Sequence, residues 1–423
     1  MENSTKYILL KGLEAGVSVN ADAPFFAALP YILSNWPYEI VNTSTREMFA
    51  HVELVNGRYA LSSPFIKQTD SYRDPLNVIC AVVAELAWAR LREDPSLLCL
   101  HGAAAEFSDR LVVFPATKKA GKSTLSVALA AAGVRMFTDD FLPLEIAQNG
   151  AINGLSSGVS PRLRLPCPTQ IGPRAERYLE TQKTLSNTQY TYVVPDETNC
   201  TAYNESAPLG GIIFLDRQDG TEATLSEITT AEALKTLICQ NFSRAGNAVD
   251  ILEMLKFVVQ NLPCYMLHYD ETEPAIEILK AKFKTWAAPV PAYRPSATLG
   301  NKSELDLKPF TRITDLSSGQ FEHADGVHVV SADGQRFLTG RNGQSIHYLN
   351  EGAALIWQIL SEPTSIDEAV EILLAAFPEQ DEAQVKGDVL LCFEEFGKNG
   401  LLQKLNAVPL ENMQPAETVG EQG

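Results

Sequence analysis

Residues 116–124 read ATKKAGKST, and their types and spacing suit the binding of a polyphosphate. In a phosphate-binding loop, backbone N–H groups surround the phosphates and the N-terminus of the following helix adds partial positive charge. Lys122 would contact the β- and γ-phosphates, and the Ser123 hydroxyl would join the ligand shell of Mg²⁺. The predicted nucleotide-binding residues are Ala116, Thr117, Lys118, Lys119, Ala120, Gly121, Lys122, Ser123 and Thr124.

The order strand–loop–helix makes this match more specific than the letters GKST alone. The apolar run LVVF precedes the loop, and the helical run LSVALAAA follows it. Ala116 stands where such loops usually have their first glycine, which costs on the order of 1 kcal/mol if its φ is positive and little if its φ is negative. The alternative is a surface turn between a strand and a helix that only resembles a phosphate-binding loop.

Three further side chains could complete a catalytic site beside the loop. Asp139 and Asp140 follow the strand-like run VRMFT. One carboxylate could hold Mg²⁺ while the other accepts a proton from an attacking hydroxyl. His101 follows the apolar run LLCL and precedes the small residues GAA. The alternatives are a solvated turn for the two aspartates and a structural role for the histidine.

Buried strands alternating with helices must position these residues. Residues 97–107 and 109–116 predict two strands around a turn at Ser108-Asp109, and a helix follows the loop until Gly133. Further strands are predicted at 208–216 and around LPCYMLHY, each close to a helix. Residues 1–95 mix strand-like runs with one helical segment at 74–93. The polar residues 185–205 predict an irregular loop.

Charge and cysteine content exclude several classes of protein. The 34 basic and 52 acidic residues give a net charge of −18, which disfavours nucleic-acid binding through a general basic surface. The seven cysteines form no C-x-x-C pair, so neither a structural zinc site nor a disulfide framework is expected. No secretory signal and no apolar run of membrane-spanning length is evident. These features predict a cytoplasmic protein that binds neither nucleic acid nor membrane.

The stretch LHGAAAEFSDRLVVFPATKKAGKSTLSVALAAAGVRMFTDDFLPLE resembles the catalytic core of the HPr serine kinase/phosphatase family, and most of all its diverged, peptide-modifying kinases. His101, the GKS of the loop and the Asp-Asp pair match that family in type and order. The resemblance implies that Asp139 activates the substrate hydroxyl. It also implies that Ser123 and Asp140 lie near the metal and that His101 and Lys122 belong to the catalytic set.

Residues 158–168, GVSPRLRLPCP, resemble a Pro-Arg-Leu-Lys-Leu segment of the same diverged kinases. Arg162 and Arg164 alternate with leucines, so both side chains would lie on one face of a strand. They could contact phosphate or an acidic peptide, and an exposed strand face is the alternative. Two departures from the family are Ala116 and the absence of an acidic residue between 151 and 174 to match its later metal-binding Glu.

A second module follows a change of composition. Residues 287–307 contain three prolines among small and polar residues and predict an extended linker. Beyond it, three short strands (GVHVVS, QRFLTG, QSIHYL) and three helices near 351–361, 365–377 and 381–398 are predicted. The run LNEGAALIW and the residues around it resemble the PqqD-like peptide-recognition fold over roughly 310–405. Asn350 could cap the first of these helices, with Ile356 and Trp357 facing the core.

In the PqqD-like family a leader peptide adds as a strand beside the third strand and lies against the third helix. Carried over, this implies a groove between one strand and one helix, with basic groups such as Lys386 and Arg341 meeting leader carboxylates. A small winged-helix-like domain used for dimerisation is the alternative. The predicted groove residues are Ser345, Ile346, His347, Tyr348, Val385, Lys386, Val389, Cys392 and Phe396, with Arg162 and Arg164 added as peptide contacts in the first module.

Together these features predict an α/β P-loop domain of the HPr-kinase type with an N-terminal α+β region, and a small winged-helix-like α+β domain of three strands and three helices. The expected function is an ATP- and Mg²⁺-dependent kinase that phosphorylates Ser or Thr of a ribosomally made precursor peptide. The alternatives are a diverged kinase fold that only presents the peptide, and a different nucleotide-dependent reaction such as carboxylate activation. Expected partners are the leader peptide and other enzymes of the pathway, and a homo-oligomer is left open. The predicted segments are the N-terminal region 1–95, the catalytic domain 96–286, the linker 287–307, the peptide-recognition domain 308–405 and a disordered tail 406–423.

Overall fold

The computed structural model describes residues 4–64, 66, 69–115, 120–196, 198–242, 247–287, 292–296, 299, 312–340, 343 and 345–405. The chain divides into two compact units, Met1–Ser303 and Glu304–Gly423. Most of the predicted linker and all of the predicted tail lie outside the described residues. So do Ala116, Thr117, Lys118 and Lys119 of the phosphate loop.

The described part of the N-terminal region forms a six-stranded sheet in the order β3-β1-β2-β4-β5-β6, with two helices. The sequence predicted only the second helix. Phe25 of the first helix packs in one hydrophobic cluster with Ile79 of the second, and Cys99 and Tyr192 from later in the chain belong to the same cluster. Residues 1–95 therefore share their core with the segment that follows. The elements are β1 (Lys6–Leu10), β2 (Gly16–Asn20), α1 (Ala23–Ile32), β3 (Tyr38–Val41), β4 (Met48–Val55), β5 (Arg58–Ser62), β6 (Asp70–Tyr72) and α2 (Pro75–Glu93).

Eight of the remaining described strands of the first unit form one sheet. Seven of its strands follow the order β11-β10-β7-β8-β15-β17-β16, and β9 pairs with β7. The elements are β7 (Leu98–Phe107), β8 (Arg110–Pro115), α3 (Lys122–Ala131), β9 (Arg135–Thr138), β10 (Phe141–Ile146), β11 (Ile152–Leu155), β12 (Arg162–Arg164), a 3₁₀ turn (Thr169–Ile171), α4 (Pro173–Thr181), β13 (Lys183–Ser186), β14 (Tyr190–Val194), β15 (Ser206–Arg217), β16 (Thr224–Glu227), α5 (Thr230–Cys239), α6 (Ala248–Asn261), β17 (Cys264–Tyr269) and α7 (Thr272–Lys282).

Three neighbouring strands decide what surrounds the phosphate loop. Strand β8, which leads into the loop, lies between antiparallel β7 and parallel β15. The turn between β7 and β8 is formed by Ser108 and Asp109, whose φ values are +47° and +66°. Because β8, β15 and β17 are parallel, their carboxyl ends lie along one edge of the sheet, which is where ligands bind in open α/β sheets. His101 lies within β7 rather than at the end of a strand, at a position paired with Phe141 of β10.

The segment predicted as an irregular loop, residues 185–205, is partly a small sheet, and that prediction was wrong. Strands β12, β14 and β13 form a three-stranded antiparallel sheet in that order. Arg162 pairs with Tyr192, and Arg164 pairs with Tyr190. The alternation in YTYVV supplies apolar side chains to one face of this sheet. The sheet therefore holds the two arginines on an ordered strand.

The described part of the second unit contains the three predicted helices, with five strands rather than the predicted three. Strands β19, β20 and β21 form one antiparallel sheet, and β18 pairs with β22 in a second. Phe321, Leu338, Trp357 and Phe393 lie in the core of this unit. The winged-helix-like description remains a prediction. The elements are β18 (Gln320–His323), β19 (His328–Ala332), β20 (Gln335–Thr339), β21 (Ile346–Leu349), α8 (Glu351–Ile359), α9 (Ile366–Ala376), α10 (Glu382–Lys398) and β22 (Leu402–Leu405).

Candidate active site and peptide-binding edge

The end of the phosphate loop depends on a glycine conformation. Gly121 has φ +90° and precedes helix α3, and its carbonyl accepts a hydrogen bond from the Leu125 N–H at 2.9 Å. A left-handed conformation at this φ strongly favours glycine. The first N–H groups of a helix have no acceptor within the helix. Residues Ala120 to Thr124 line a cleft, so this helix end carries the partial positive charge that suits an anion.

The cleft has a volume of about 320 Å³ and collects most of the side chains that the sequence singled out. Helix α2 of the N-terminal region contributes Cys80 and Val83 to its wall. The lining residues that were not expected from the sequence include Cys80, Tyr190, Tyr192 and Arg217. The predicted residues that line it are His101, Ala120, Gly121, Lys122, Ser123, Thr124, Asp139, Asp140, Arg162 and Arg164.

Lys122, His101 and Asp140 form a chain of polar contacts. The Lys122 Nζ lies 2.8 Å from the His101 Nε2, and the His101 Nδ1 lies 3.5 Å from the Asp140 Oδ1. When Lys122 is an ammonium it can only donate, so Nε2 then accepts and the ring proton is on Nδ1, facing the carboxylate. Burial lowers the pKa of the Lys122 ammonium, and the nearby carboxylates Asp140 and Asp139 oppose that shift. These contacts orient the lysine side chain at the first turn of α3.

Asp139 is held from several sides inside the protein. Its Oδ1 accepts a hydrogen bond from the Ser126 hydroxyl at 2.7 Å, and its Oδ2 accepts one from the backbone N–H of Arg162 at 3.2 Å. The Ser123 hydroxyl also hydrogen-bonds to this carboxylate. Asp139 is only 5% exposed. Burial raises the pKa of this carboxyl group, while Lys122 and the hydrogen bonds oppose the shift.

The two aspartates therefore have different surroundings, and the roles that the resemblance implied for them stay predictions. Asp139, expected to activate the substrate hydroxyl, is buried and bonded to Ser123, the expected metal ligand. Asp140, expected near the metal, has a side chain 32% exposed in the cleft beside His101. A group that takes a proton from an incoming hydroxyl must be within its reach. This geometry favours Asp140 for that step.

Arg162 and Arg164 lie together on the cleft wall. The guanidinium carbons lie 4.7 Å and 5.6 Å from the centre of the Tyr190 ring, distances typical of cation–π contacts. Arg162 also donates a hydrogen bond to the Cys80 sulfur. Burial raises the pKa of the Cys80 thiol, and the guanidinium opposes that shift. The wall thus presents two positive charges held by an aromatic ring.

Arg217 and Tyr269 approach the loop from the side opposite to the aspartates. A Cβ built on Gly121 would lie 2.6 Å from the Tyr269 hydroxyl oxygen and 3.4 Å from the Arg217 Cδ. Sequence analysis missed both residues. The signal was available, because each ends a buried strand of the parallel set, as the aspartates follow β9.

No group of three or more His, Cys, Asp or Glu side chains in the described part of the chain could hold a metal ion. Mg²⁺ bound together with substrate phosphates commonly uses only one or two carboxylates. Asp139, Asp140 and the Ser123 hydroxyl would supply such ligands here. The donor set, the helix terminus and the lysine therefore fit a nucleotide with Mg²⁺ and do not fit a metal held by protein ligands alone.

In the second unit, β21 is the candidate peptide-binding edge. Among the described strands it pairs only with β20, so its other edge is unpaired. Ser345, Ile346, His347 and Tyr348 are all partly buried. The His347 Nε2 lies 2.8 Å from the Ser345 hydroxyl oxygen. Such an edge can accept a further strand through main-chain hydrogen bonds.

The predicted residues of helix α10 do not all face outward. Val389 and Phe396 lie in the core of the unit, whereas Val385 and Cys392 are only partly buried against it. The Lys386 Nζ lies 3.8 Å from the Asp367 Oδ1 of helix α9, so its nearest described charge is a carboxylate of the protein itself. Arg341 lies outside the described residues. Val389 and Phe396 therefore stabilise the fold.

Comparison with known proteins identifies this second segment. Residues 336–402 match the family model of coenzyme PQQ synthesis protein D, PqqD. Residues 336–402 are a PqqD domain. The match covers β20, β21 and the three helices of the unit, and it confirms the predicted resemblance for this part of the chain.

Comparisons with curated proteins and with solved structures are less informative than the family match. A search of curated proteins gave no match. Among solved structures, the Hpr(Ser) kinase/phosphatase from Coxiella burnetii is similar at 10% sequence identity with a TM-score of 0.23, over 44% of this chain and 93% of that chain. No helix in the described part of the chain is long and apolar enough to cross a membrane.

Proposed function

We propose that the chain is a peptide kinase, which uses ATP and Mg²⁺ to phosphorylate a Ser or Thr hydroxyl of a ribosomally made precursor peptide. One observation carries the proposal. Lys122, Ser123, His101 and both aspartates meet in a single cleft at the N-terminus of helix α3. A lysine and a hydroxyl at the first turn of a helix after a buried strand suit a polyphosphate. Carboxylates beside them suit proton and metal chemistry.

The residues divide the work by their positions. ATP, when bound, supplies the phosphoryl group, and Mg²⁺ offsets the charge of the phosphates. Lys122 and the N–H groups of residues 120–124 hold phosphate oxygens. Asp140 takes the proton of the peptide hydroxyl, because its carboxylate is accessible and His101 holds it in place. Asp139 orients the Ser123 hydroxyl and contributes to the metal ligands.

Arg162 and Arg164 give the cleft a preference for acidic groups. Both guanidinium groups lie against Tyr190 on the wall. They would meet either the nucleotide phosphates or carboxylates of the peptide segment that carries the acceptor hydroxyl. Their charge is also consistent with a site that stabilises negative charge during phosphoryl transfer.

The PqqD domain would bind the leader of the peptide. The leader adds as a strand beside β21, with main-chain hydrogen bonds providing affinity and side-chain contacts providing selectivity. A leader bound on the same chain raises the effective concentration of the acceptor segment at the cleft. Other enzymes of the pathway could use the same bound leader.

A second candidate function is a scaffold that presents the peptide without turnover. Ala116 in place of the usual glycine and the lack of an acidic residue between 151 and 174 favour it. The contact of Lys122 with His101 and that of Asp139 with Ser126 favour the kinase instead, because a chain without turnover has no need of a partly buried lysine and a buried carboxylate in one cleft.

Intact mass spectrometry separates these functions. A candidate precursor peptide is incubated with the full chain, ATP and Mg²⁺. The kinase adds one phosphoryl group, and Lys122→Met and Asp140→Asn abolish the addition. Asp140→Asn should abolish turnover with little change in ATP affinity, whereas Asp139→Asn should also raise the Mg²⁺ concentration that turnover requires. An unchanged peptide mass with intact peptide binding would favour the scaffold.

A second experiment tests the leader-binding edge. Ile346→Glu on β21 places a charge on the proposed edge, and Val329→Glu on β19, the other edge strand of the same sheet, is the matched control. Fluorescence anisotropy of the labelled precursor peptide should show a large loss of affinity for the first variant only. Equal affinities for the two variants would exclude β21 as the binding edge.

A further inference from the structure

We infer that Arg217 and Tyr269 form a second set of phosphate contacts, on the side of the loop opposite to the aspartates, and bind the β-phosphate of a nucleoside di- or triphosphate. The inference rests on the proposed function, because it assumes that a nucleotide occupies the cleft. It adds two residues that neither the motif nor the family resemblance supplied.

The fold places both residues at the correct edge of the sheet. Strand β15 is parallel to β8 on one side and to β17 on the other, and Arg217 pairs with Tyr269 across that second contact. Both residues end their strands. The carboxyl ends of parallel strands in an open α/β sheet face the ligand crevice. The phosphate cradle is therefore bounded by Asp139 and Asp140 on the β7 side and by Arg217 on the β15 side.

The Tyr269 hydroxyl is the more unusual of the two groups. The residue is fully buried, and its hydroxyl has no hydrogen-bond partner among the described residues. Buried polar groups are nearly always hydrogen-bonded, so such a hydroxyl indicates a missing partner. It lies 2.6 Å from the position of a Cβ on Gly121, at the start of the helix whose first residues line the cleft. Burial raises the pKa of this phenol to about 12, so it stays a neutral donor at physiological pH.

Arg217 lies beside a carboxylate that positions it without using up its hydrogen-bond donors. Its Nη2 lies 3.9 Å from the Asp270 Oδ1, which is too long for a direct hydrogen bond. Asp270 is itself fixed, because its Oδ2 accepts the Gly220 N–H at 2.8 Å. The Arg217 side chain is 20% exposed and lines the cleft. The carboxylate thus holds the guanidinium near the loop while leaving N–H groups for an oxyanion, a geometry that suits phosphate.

The position of Gly121 indicates which phosphate Arg217 and Tyr269 bind. Backbone N–H groups of such loops cradle the inner phosphates, whereas the lysine reaches toward the terminal one. Arg217 and Tyr269 flank Gly121 rather than the Lys122–His101 pair. They should therefore bind the β-phosphate, which ATP, ADP and pyrophosphate share.

Isothermal titration of the full chain with ADP and with pyrophosphate, both with Mg²⁺, tests this inference. Arg217→Gln should weaken both ligands by roughly tenfold to a hundredfold, the range for a charge-assisted hydrogen bond. Arg217→Lys should recover part of the loss, and Tyr269→Phe should weaken binding by about twofold to tenfold. Arg174→Gln is the matched control, because Arg174 has a similar long ion pair, 3.8 Å from Glu277, and does not line the cleft.

Each outcome decides one question. If Arg217→Gln folds with an unchanged melting temperature and binds ADP like the wild type, the inference is wrong while the kinase can stand. If the variant loses ADP but keeps pyrophosphate, the contact is to the nucleoside or its α-phosphate ester, and the β-phosphate assignment is wrong. If the wild type binds ADP, loses it with Arg217→Gln, and yet phosphorylates no peptide, the inference stands and the proposed function fails.

Discussion

Gly121 is the residue whose substitution tests the described geometry of the loop most directly, and Gly121→Ala meets two separate penalties. An alanine at φ +90° costs about 1–2 kcal/mol, because its Cβ crowds the following backbone. The new Cβ would also lie 2.6 Å from the buried Tyr269 hydroxyl oxygen, closer than real contacts allow. Overpacking of this kind typically costs about 1–3 kcal/mol. We expect a total loss of about 2–5 kcal/mol in the free energy of unfolding.

A double-mutant cycle with Tyr269→Phe separates the two penalties. Phenylalanine removes the hydroxyl oxygen, and the nearest remaining atoms are then the Arg217 Cδ at 3.4 Å and the ring Cζ at 3.7 Å, which are ordinary contacts. Tyr269→Phe alone should be close to neutral, because the buried hydroxyl has no partner among the described residues. In the phenylalanine background Gly121→Ala should cost only the backbone part. The expected coupling is about 1–3 kcal/mol.

Urea denaturation of the four full-length proteins, followed by far-ultraviolet circular dichroism, gives the four free energies. The dependence on urea should stay the same across the set if only native-state stability changes. A loss equal in both backgrounds would mean that Tyr269 does not lie over Gly121. No loss from Gly121→Ala in either background would show that the residue does not adopt a left-handed conformation.

Three further predictions concern stability. Phe393→Ala should lower the free energy of unfolding of the PqqD unit by about 3–5 kcal/mol in urea denaturation, because the ring is fully buried against Phe321. Leu391→Ala on the same helix, where the side chain is 58% exposed, should change that free energy by less than about 0.5 kcal/mol. Burial lowers the pKa of His323, so the unfolded state binds a proton more readily than the folded state does. The melting temperature of this unit should therefore fall as the pH drops below about 6.5. His323→Asn should make the melting temperature less dependent on pH. A chain beginning at residue 96 should give no cooperative calorimetric transition for the first unit, because it loses most of the shared core.

The sequence located the centre of the candidate site because its motif is local. A strand, a loop and a helix in immediate succession bring Lys122 and Ser123 to a helix terminus without help from distant residues. Asp139 and Asp140 were found by the rule that charged residues after a buried strand lie at the ligand edge of a sheet. The same rule applied to GIIFLDR would have indicated Arg217. It was missed because Arg217 has no motif around it.

Other errors came from patterns with two physical readings. Val385, Val389, Cys392 and Phe396 form one stripe at helical spacing, and such a stripe can face a partner or a core. The structure places Val389 and Phe396 in the core. The polar residues around YTYVV suggested a loop, although Tyr190 and Tyr192 alternate as in a strand.

The hardest part to foresee was the role of residues 1–95, because periodicity shows which face of a helix is apolar but not what that face packs against. Helix α2 was predicted almost to the residue, yet only tertiary structure shows that Cys80 and Val83 line the cleft. Tyr192 and Cys99 join the core formed by the N-terminal helices, so that core and the cleft wall are built from the same packing. Cys80 then supports Arg162, which supports the placement of Asp139 through its backbone N–H. A change in the N-terminal core should therefore affect Asp139 through two contacts, from Cys80 to Arg162 and from Arg162 to Asp139. A domain boundary placed at residue 95 from composition alone would have treated the N-terminal core and the cleft as independent.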